Sequence, residues 1–234
     1  MELVEILEQV ESRLRIRAGL SGGRLPAQVA RALGRLLSAP PLKPDRVASL
    51  QGVAREVEQC KACGLHRQRG RVVAGEGNPE AELVFVGEGP GEEEDLQGRP
   101  FVGPAGQLLD RIIAAMGLTR QEVFIANVVK CRPPANRVPK PEEVGACAPF
   151  LFRQLRVISP RVICALGAVA AQTLLGSAEP IGKMRGRFHQ WEGVSVMPTF
   201  HPSYLLRNPE RKREVWEDMK QILGLLGREL PSIR

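Results

Sequence analysis

AELVFVGEGPGEEED, residues 81–95, begins as a short run of apolar, β-branched and aromatic residues and closes in a glycine-rich turn. A run of this length, bounded by glycine, fits a strand buried on both faces. It ends at Glu88 and is followed by the acidic run Glu92 to Asp95, for which a tight turn with a solvated helix start at Glu92 and Glu93 is the plainer reading. The same alternation continues downstream. GPAGQLLDRIIAAMGL, from Gly103 to Leu118, reads as a helix ending at Gly117. VFIANVV, from Val123 to Val129, is a second strand, and PEEVGACAPFLFRQLRVI is a helix with Pro141 in its first position. RVICALG is a third strand followed by the helix AVAAQTLLG; VSVMPTF, from Val194 to Phe200, is a fourth strand. EVWEDMKQILGLLGREL is an amphipathic helix near the end of the chain. Strands alternating with helices predict an α/β fold, with a central four-stranded, mainly parallel sheet covered on both faces. Ligands of such sheets bind beyond the carboxyl ends of the strands. That places Glu88 and its glycines, Asn127, Gly167 and His201 on one rim.

Upstream, residues Met1 to about Leu37 read as helical. Leu3, Ile6, Leu7, Val10 and Leu14 recur at helical spacing, and SGGR, from Ser21 to Arg24, breaks the stretch in two. SAPPLKPDR, from Ser38 to Arg46, is a proline-rich linker. The expected organisation is therefore a helical extension over residues 1–46 and one main domain over 47–234. The 234 residues carry a formal net charge of +7, with a pI near 9.5, which favours a polyanionic partner. An Arg-rich, soluble chain without such a partner has the same balance. No secretory signal or apolar run long enough to span a membrane is present, so a cytoplasmic protein with reduced thiols is expected.

Four of the five cysteines form a framework. Cys60 and Cys63 make a C-x2-C knuckle; Cys131 lies far downstream in NVVKCRPPANR, and Cys147 follows in GACAPFL. Two thiolates from one turn and two from distant segments can close around a metal centre. The spacing lacks the second close pair of most zinc sites and does not match the compact ferredoxin runs, so zinc and iron–sulfur both stay open on spacing alone. Cys164, in VICALGA, reads as a buried strand cysteine.

Other segments suggest a ligand. Gly87, Gly89 and Gly91 invite a dinucleotide reading, but Glu92 stands where the third glycine would fall, and the acidic run would repel a pyrophosphate. A small polar ligand with a positioned water suits the loop better. Phe101, in GRPFVGPAG, could stack on a base; a core position is the commoner fate of a Phe. Asn127 carries a donor and an acceptor, as a nucleobase edge requires. His201 opens HPSYLLRNP, in which Pro202 and Ser203 form a stiff turn whose N–H and hydroxyl could hold a phosphate. Leu205, Leu206 and Arg207 could wedge into a duplex. Lys183, Arg185 and Arg187, in GKMRGRFH, suit phosphate contacts, with a solvated loop as the alternative.

The order GEGPGEEED, GRPFVGPAGQLLD, NVVKCRPPANR, HPSYLL, together with the cysteine spacing, resembles the family 4, iron–sulfur type uracil-DNA glycosylases from about Leu50 onward. The resemblance implies a three-layer α/β/α sandwich, a [4Fe–4S] cluster on Cys60, Cys63, Cys131 and Cys147, and action on uracil in DNA. It implies that Phe101 stacks on uracil and Asn127 reads its Watson–Crick edge. His201 would stabilise the departing anion at O2, Glu88 would activate water, and Glu94 would exclude the thymine methyl. Gly89 is expected among the substrate-binding residues; the best-known uracil glycosylases carry Asp there. A covalent-trapping relative has GEQPG and a basic loop with a histidine nucleophile; GEGPG and KMRGRFH here point to ordinary turnover. No lysine lies in these motifs, which argues against a lyase step. The other readings are a non-catalytic DNA-binding protein of the same fold and a nucleotide-binding α/β enzyme. A monomer is expected, with a protein partner for the N-terminal extension.

Overall fold

The computed structural model of the chain describes residues 45–229. The helices read over Met1–Leu37 and most of the proline-rich linker lie outside these residues. Six strands form one sheet: β1 (Glu76–Gly77), β2 (Leu83–Gly87), β3 (Phe124–Asn127), β4 (Val162–Leu166), β5 (His189–Trp191) and β6 (Val194–Thr199). Their spatial order is β1-β3-β2-β4-β6-β5. The four expected strands are its parallel centre, β3-β2-β4-β6. Short antiparallel strands, β1 beside β3 and β5 beside β6, extend both edges. With two and three residues they are too short to show any period. β5 and β6 form a hairpin across Glu192 and Gly193, whose φ values of 46° and 81° give the turn a twist that suits paired strands.

Every residue of β2 and β4 is buried. Their side chains alternate between two cores. Val84, Val86, Ile163 and Ala165 pack on one face with Leu151 and Leu155 of a long helix and with Ala170 and Ala171. Leu83, Phe85, Val162 and Cys164 pack on the other with Leu109, Ile113, Leu205, Met219 and Ile222. In chain order the helices are α1 (Arg46–Gln59), α2 (Glu92–Gln97), α3 (Pro104–Ala115), α4 (Pro141–Ile158), α5 (Ala168–Leu175), α6 (Ile181–Met184), α7 (Pro202–Arg207) and α8 (Lys212–Leu226). α4 and α5 cover the first face; α3, α7 and α8 cover the second, giving three layers, α/β/α. Cys164 is completely buried, as its apolar flanks predict.

β2 runs between β3 and β4, so the chain leaves it first to one side and later to the other. At such a switch point the connections diverge and leave a crevice beyond the carboxyl ends of the strands.

Candidate active site

That crevice is a pocket of about 800 Å³, the size of a small-molecule site. Glu88 and Gly89 enter it from the turn after β2, Asn127 from the end of β3, Gly167 from the turn after β4 and His201 from the turn after β6. Glu94, Phe101, Ser203 and Arg207 complete this part of the wall. The rim read from the sequence is therefore assembled around one space.

Asn127 is 1% exposed, yet its Oδ1 has no hydrogen-bond partner among the described residues. A buried unpaired amide oxygen costs about 1–3 kcal/mol, a cost that a ligand donor would remove. The strand register places Gly87 opposite Asn127. A Cβ on Gly87 would lie 2.4 Å from Asn127 Oδ1 and 2.5 Å from Phe101 Cζ. Only glycine lets the amide and the aromatic ring share this floor.

His201 caps the start of α7. Its Nδ1 accepts the Ser203 backbone N–H at 3.1 Å and lies 2.8 Å from the Ser203 hydroxyl. An Nδ1 that accepts leaves the neutral ring's proton on Nε2. Burial lowers the His201 pKa from 6.5 to about 4; Glu94 opposes the shift and Arg207 adds to it. The ring is neutral at physiological pH and tilts against Phe101, with centroids 5.6 Å apart. Ser203 faces this Nδ1 with both its N–H and its hydroxyl, two donors for one in-plane lone pair, so the imidazole does not take up both.

The two carboxylates differ. Burial raises the Glu88 pKa, which makes its carboxylate a stronger base. Glu94 is tied down: Oε1 accepts from the Val102 and Gly103 N–H groups at 2.8 and 2.9 Å, and Oε2 accepts from Gly91 N–H at 3.0 Å. It joins the Gly91 turn to the Phe101 loop. Glu92 and Glu93 are the solvated helix start expected of them. A Cβ on Gly89 would approach Val129 Cγ2 to 2.7 Å.

The predicted DNA-contacting residues divide. Lys183, Arg187, Leu206 and Arg207 are exposed. Arg185 is not a free phosphate ligand. Its guanidinium contacts both oxygens of Asp218, at 2.7 and 3.2 Å, and Glu214 at 2.9 Å; its side chain is only 14% exposed. Leu205 is not a wedge either, being 1% exposed in the core beneath α7, whereas Leu206 is 45% exposed on the outer side of that helix. His189 lies in β5, its Nε2 2.9 Å from the Met184 carbonyl, and is not among the residues lining the pocket.

The four framework cysteines line one cavity away from this pocket. Cys60 follows α1, Cys63 precedes a short 3-10 turn, Cys131 follows β3 and Cys147 lies in α4. Arg69 donates to Cys131 Sγ at 3.3 Å, Ala62 N–H to Cys60 Sγ at 3.5 Å and Lys130 N–H to Cys147 Sγ at 3.2 Å. Burial pushes the Cys147 thiol up to about 11, against Lys130, and raises that of Cys131, against Arg69. Among the described residues no three ligating side chains converge as a single metal ion requires. Four thiols lining one shared cavity, three of them with N–H donors on their sulfurs, are a donor set that fits a thiolate-bound metal centre.

Sequence reading passed over several residues that hold the site. Arg69 reaches the Cys60 carbonyl as well as Cys131. Asp95 is buried and accepts from Gly70 and Arg71 N–H. Lys130 is fully buried with its amine on Gln154 at 2.6 Å. Only Asp95, the last residue of the acidic run, carried a local signal.

The doubly covered sheet, with this pocket at its switch point, is the architecture of a class. Residues 74–220 match the uracil DNA glycosylase superfamily. The type-4 uracil-DNA glycosylase of Thermotoga maritima is 51% identical over 181 residues, covering 76% of this chain and 94% of that protein. The type-4 enzyme of Archaeoglobus fulgidus is 43% identical over 193 residues, 79% of this chain and 97% of its own. A type-5 uracil-DNA glycosylase of Pyrobaculum aerophilum is more distant, 32% identical over 162 residues, 61% of this chain and 70% of its own. The chain belongs to the type-4 uracil-DNA glycosylases.

Proposed function

We infer that the protein is a DNA repair enzyme that hydrolyses the N-glycosidic bond of deoxyuridine in DNA, releasing uracil and leaving an abasic site. Beyond family membership, the observation that carries this reading is the unpaired Asn127 amide oxygen at the floor of a pocket that also holds a neutral histidine. A base stacked in a duplex cannot reach such a floor, so the nucleotide must rotate out, at a cost of a few kcal/mol. Exposed Lys183, Arg187 and Arg207 contact phosphates, and Leu206 fills the vacated space. Asn127 pairs with the uracil edge and Phe101 stacks on the ring. Glu94, fixed by three backbone N–H groups, forms the wall at C5 that turns thymine away.

As the bond between C1′ and N1 breaks, its electron pair moves into the uracil ring and onto O2. His201 donates its Nε2 proton in a hydrogen bond to that oxygen, so the stabilisation grows as charge develops. The oxocarbenium-like sugar is attacked by water, whose proton passes to the Glu88 carboxylate. Cys60, Cys63, Cys131 and Cys147 would hold a [4Fe–4S] cluster, which would supply a cross-link between α1, the loop after β3 and α4. Among the described residues no helix is long and apolar enough to cross a membrane. We place the enzyme in the cytoplasm as a monomer, with residues 47–234 as the glycosylase domain and residues 1–46 as an extension that recruits a protein partner.

The test is the purified chain on a single-uracil oligonucleotide. Free uracil and an unbroken abasic strand are expected. Tight DNA binding without release would support a non-catalytic protein, and spontaneous strand breakage would reveal a lyase step.

A further inference from the structure

Phe101 has a φ of 52°, in the left-handed region that bulky residues rarely occupy. Such a conformation persists only where the surroundings over-determine it. Its backbone lies on Gly106 of α3, where a Cβ would come within 2.1 Å of the Phe101 carbonyl carbon. On the amide side, Glu94 takes the next two N–H groups, those of Val102 and Gly103. On the carbonyl side stands Arg120, in the turn between α3 and β3. Its Nη1 donates to the Phe101 carbonyl at 3.0 Å and its Nη2 to the Pro100 carbonyl. The guanidinium is oriented by Glu76 of β1, at 2.7 Å from Nε, and by Asp110 of α3, at 2.9 Å from Nη1. Arg99 holds the Glu76 carboxylate from its other side, at 2.9 Å. The Arg120 side chain is 15% exposed.

We propose that Arg120 is a positioning residue for base stacking: it grips two successive carbonyls while Glu94 grips the following two amides, and the pair sets the plane of the Phe101 ring before uracil arrives. This rests on the assignment of Phe101 as the stacking residue. A planar fork can serve two carbonyls and two carboxylates at once, which a lysine ammonium on a flexible stem does not reproduce. The edge strand β1 thereby acquires a role in the site, because it carries the carboxylate that orients the fork.

A double-mutant cycle on the full chain tests it. Arg120→Met should lower the single-turnover rate on a uracil oligonucleotide by roughly tenfold to a hundredfold, as a displacement of about 1 Å does. Inhibition by free uracil should weaken in parallel, while affinity for undamaged DNA stays the same. Arg120→Lys should show the same loss although it keeps the charge; a wild-type rate for this variant would overturn the proposal. In a Phe101→Ala background, adding either Arg120 substitution should change the rate by less than about twofold, the scatter expected of such cycles. Losses that multiply would show that Arg120 does not act through Phe101 and would leave the stacking assignment standing. A Phe101→Ala enzyme with wild-type rate would remove both. If Arg120→Met does not fold, Arg120→Lys carries the cycle alone.

Discussion

Gly87 and Asn127 are register partners on adjacent strands, and a methyl on the glycine would lie 2.4 Å from the asparagine's Oδ1. The same methyl would meet the Phe101 ring at 2.5 Å. Gly87→Ala is therefore expected to damage base recognition from beneath, lowering single-turnover uracil release by about a hundredfold while undamaged DNA still binds. Asn127→Ala should lose about 10²–10³ in rate, the size of a lost transition-state hydrogen bond in comparable sites. Single-turnover kinetics on one oligonucleotide compares the two directly.

Glu88 and His201 make separable predictions about pH. The base role proposed for Glu88 requires its ionised form, and burial moves its pKa above the usual 4.5. The rate should fall with a slope of about one as pH drops through that raised value. Glu88→Gln should be slow and show no such limb. His201 bears on stability. Its folded pKa is about 4 against 6.5 for the free side chain. Above pH 6.5 neither state binds the proton; between 6.5 and 4 the unfolded chain takes it up and the folded one does not, so His201 makes stability fall with pH by up to about 3 kcal/mol. Denaturant midpoints across that range should show the decline, and His201→Gln should flatten it.

The thiol cavity predicts colour and iron. Protein purified without oxygen should be brown and should approach four irons per chain, as expected of a [4Fe–4S] centre. Cys131→Ser should lose iron. Cys164→Ser should keep it, because that thiol is buried in β4 and does not line the cavity. One zinc per colourless chain would refute the assignment.

The basic loop should respond in two ways. Lys183→Ala and Arg187→Ala should weaken binding to every DNA sequence alike and reduce its salt dependence, since phosphates carry no base identity. Arg185→Ala should instead strand the fully buried Asp218, whose Oδ2 also accepts from Thr199 at 2.6 Å. Removing one partner of a buried pair costs about 3–5 kcal/mol, so this variant should melt well below the wild type. Thermal melts and salt titrations on the same three proteins separate these effects.

The parallel centre of the sheet was legible because β2, β3 and β4 are buried, mainly apolar runs ended or followed by glycine or asparagine, and β6 keeps enough of that pattern before His201. The edges were not. β1 is Glu76–Gly77, with no apolar residue, and the hairpin turn is Glu-Gly, which carries a weaker signal than Asn-Gly. Rim residues could be read because each ends a strand or begins the turn after it. The errors fell on HPSYLL and the basic loop, where neighbours decide the outcome. Leu205 and Leu206 are alike in type and adjacent in the chain; only the docking of α7 sends one inward. Arg185 and Arg187 look equivalent until α8 brings Glu214 and Asp218 to one of them. Arg120 had no local signal, because all its partners are distant in sequence.

The methyl of Val129 that closes over Gly89 limits how such a site can be inherited. Placing an aspartate at 89, as in the best-known uracil glycosylases, puts its first side-chain carbon 2.7 Å from that methyl. Overpacking of this kind typically costs 1–3 kcal/mol. A lineage moving from one water-activating arrangement to the other gains little from the first substitution alone. Trimming Val129 opens the way, but this side chain is fully buried in the core and its loss has a cost of its own, so the two positions are expected to change together. The choice of residue at 89 is then tied to an aliphatic side chain that is not among those lining the pocket.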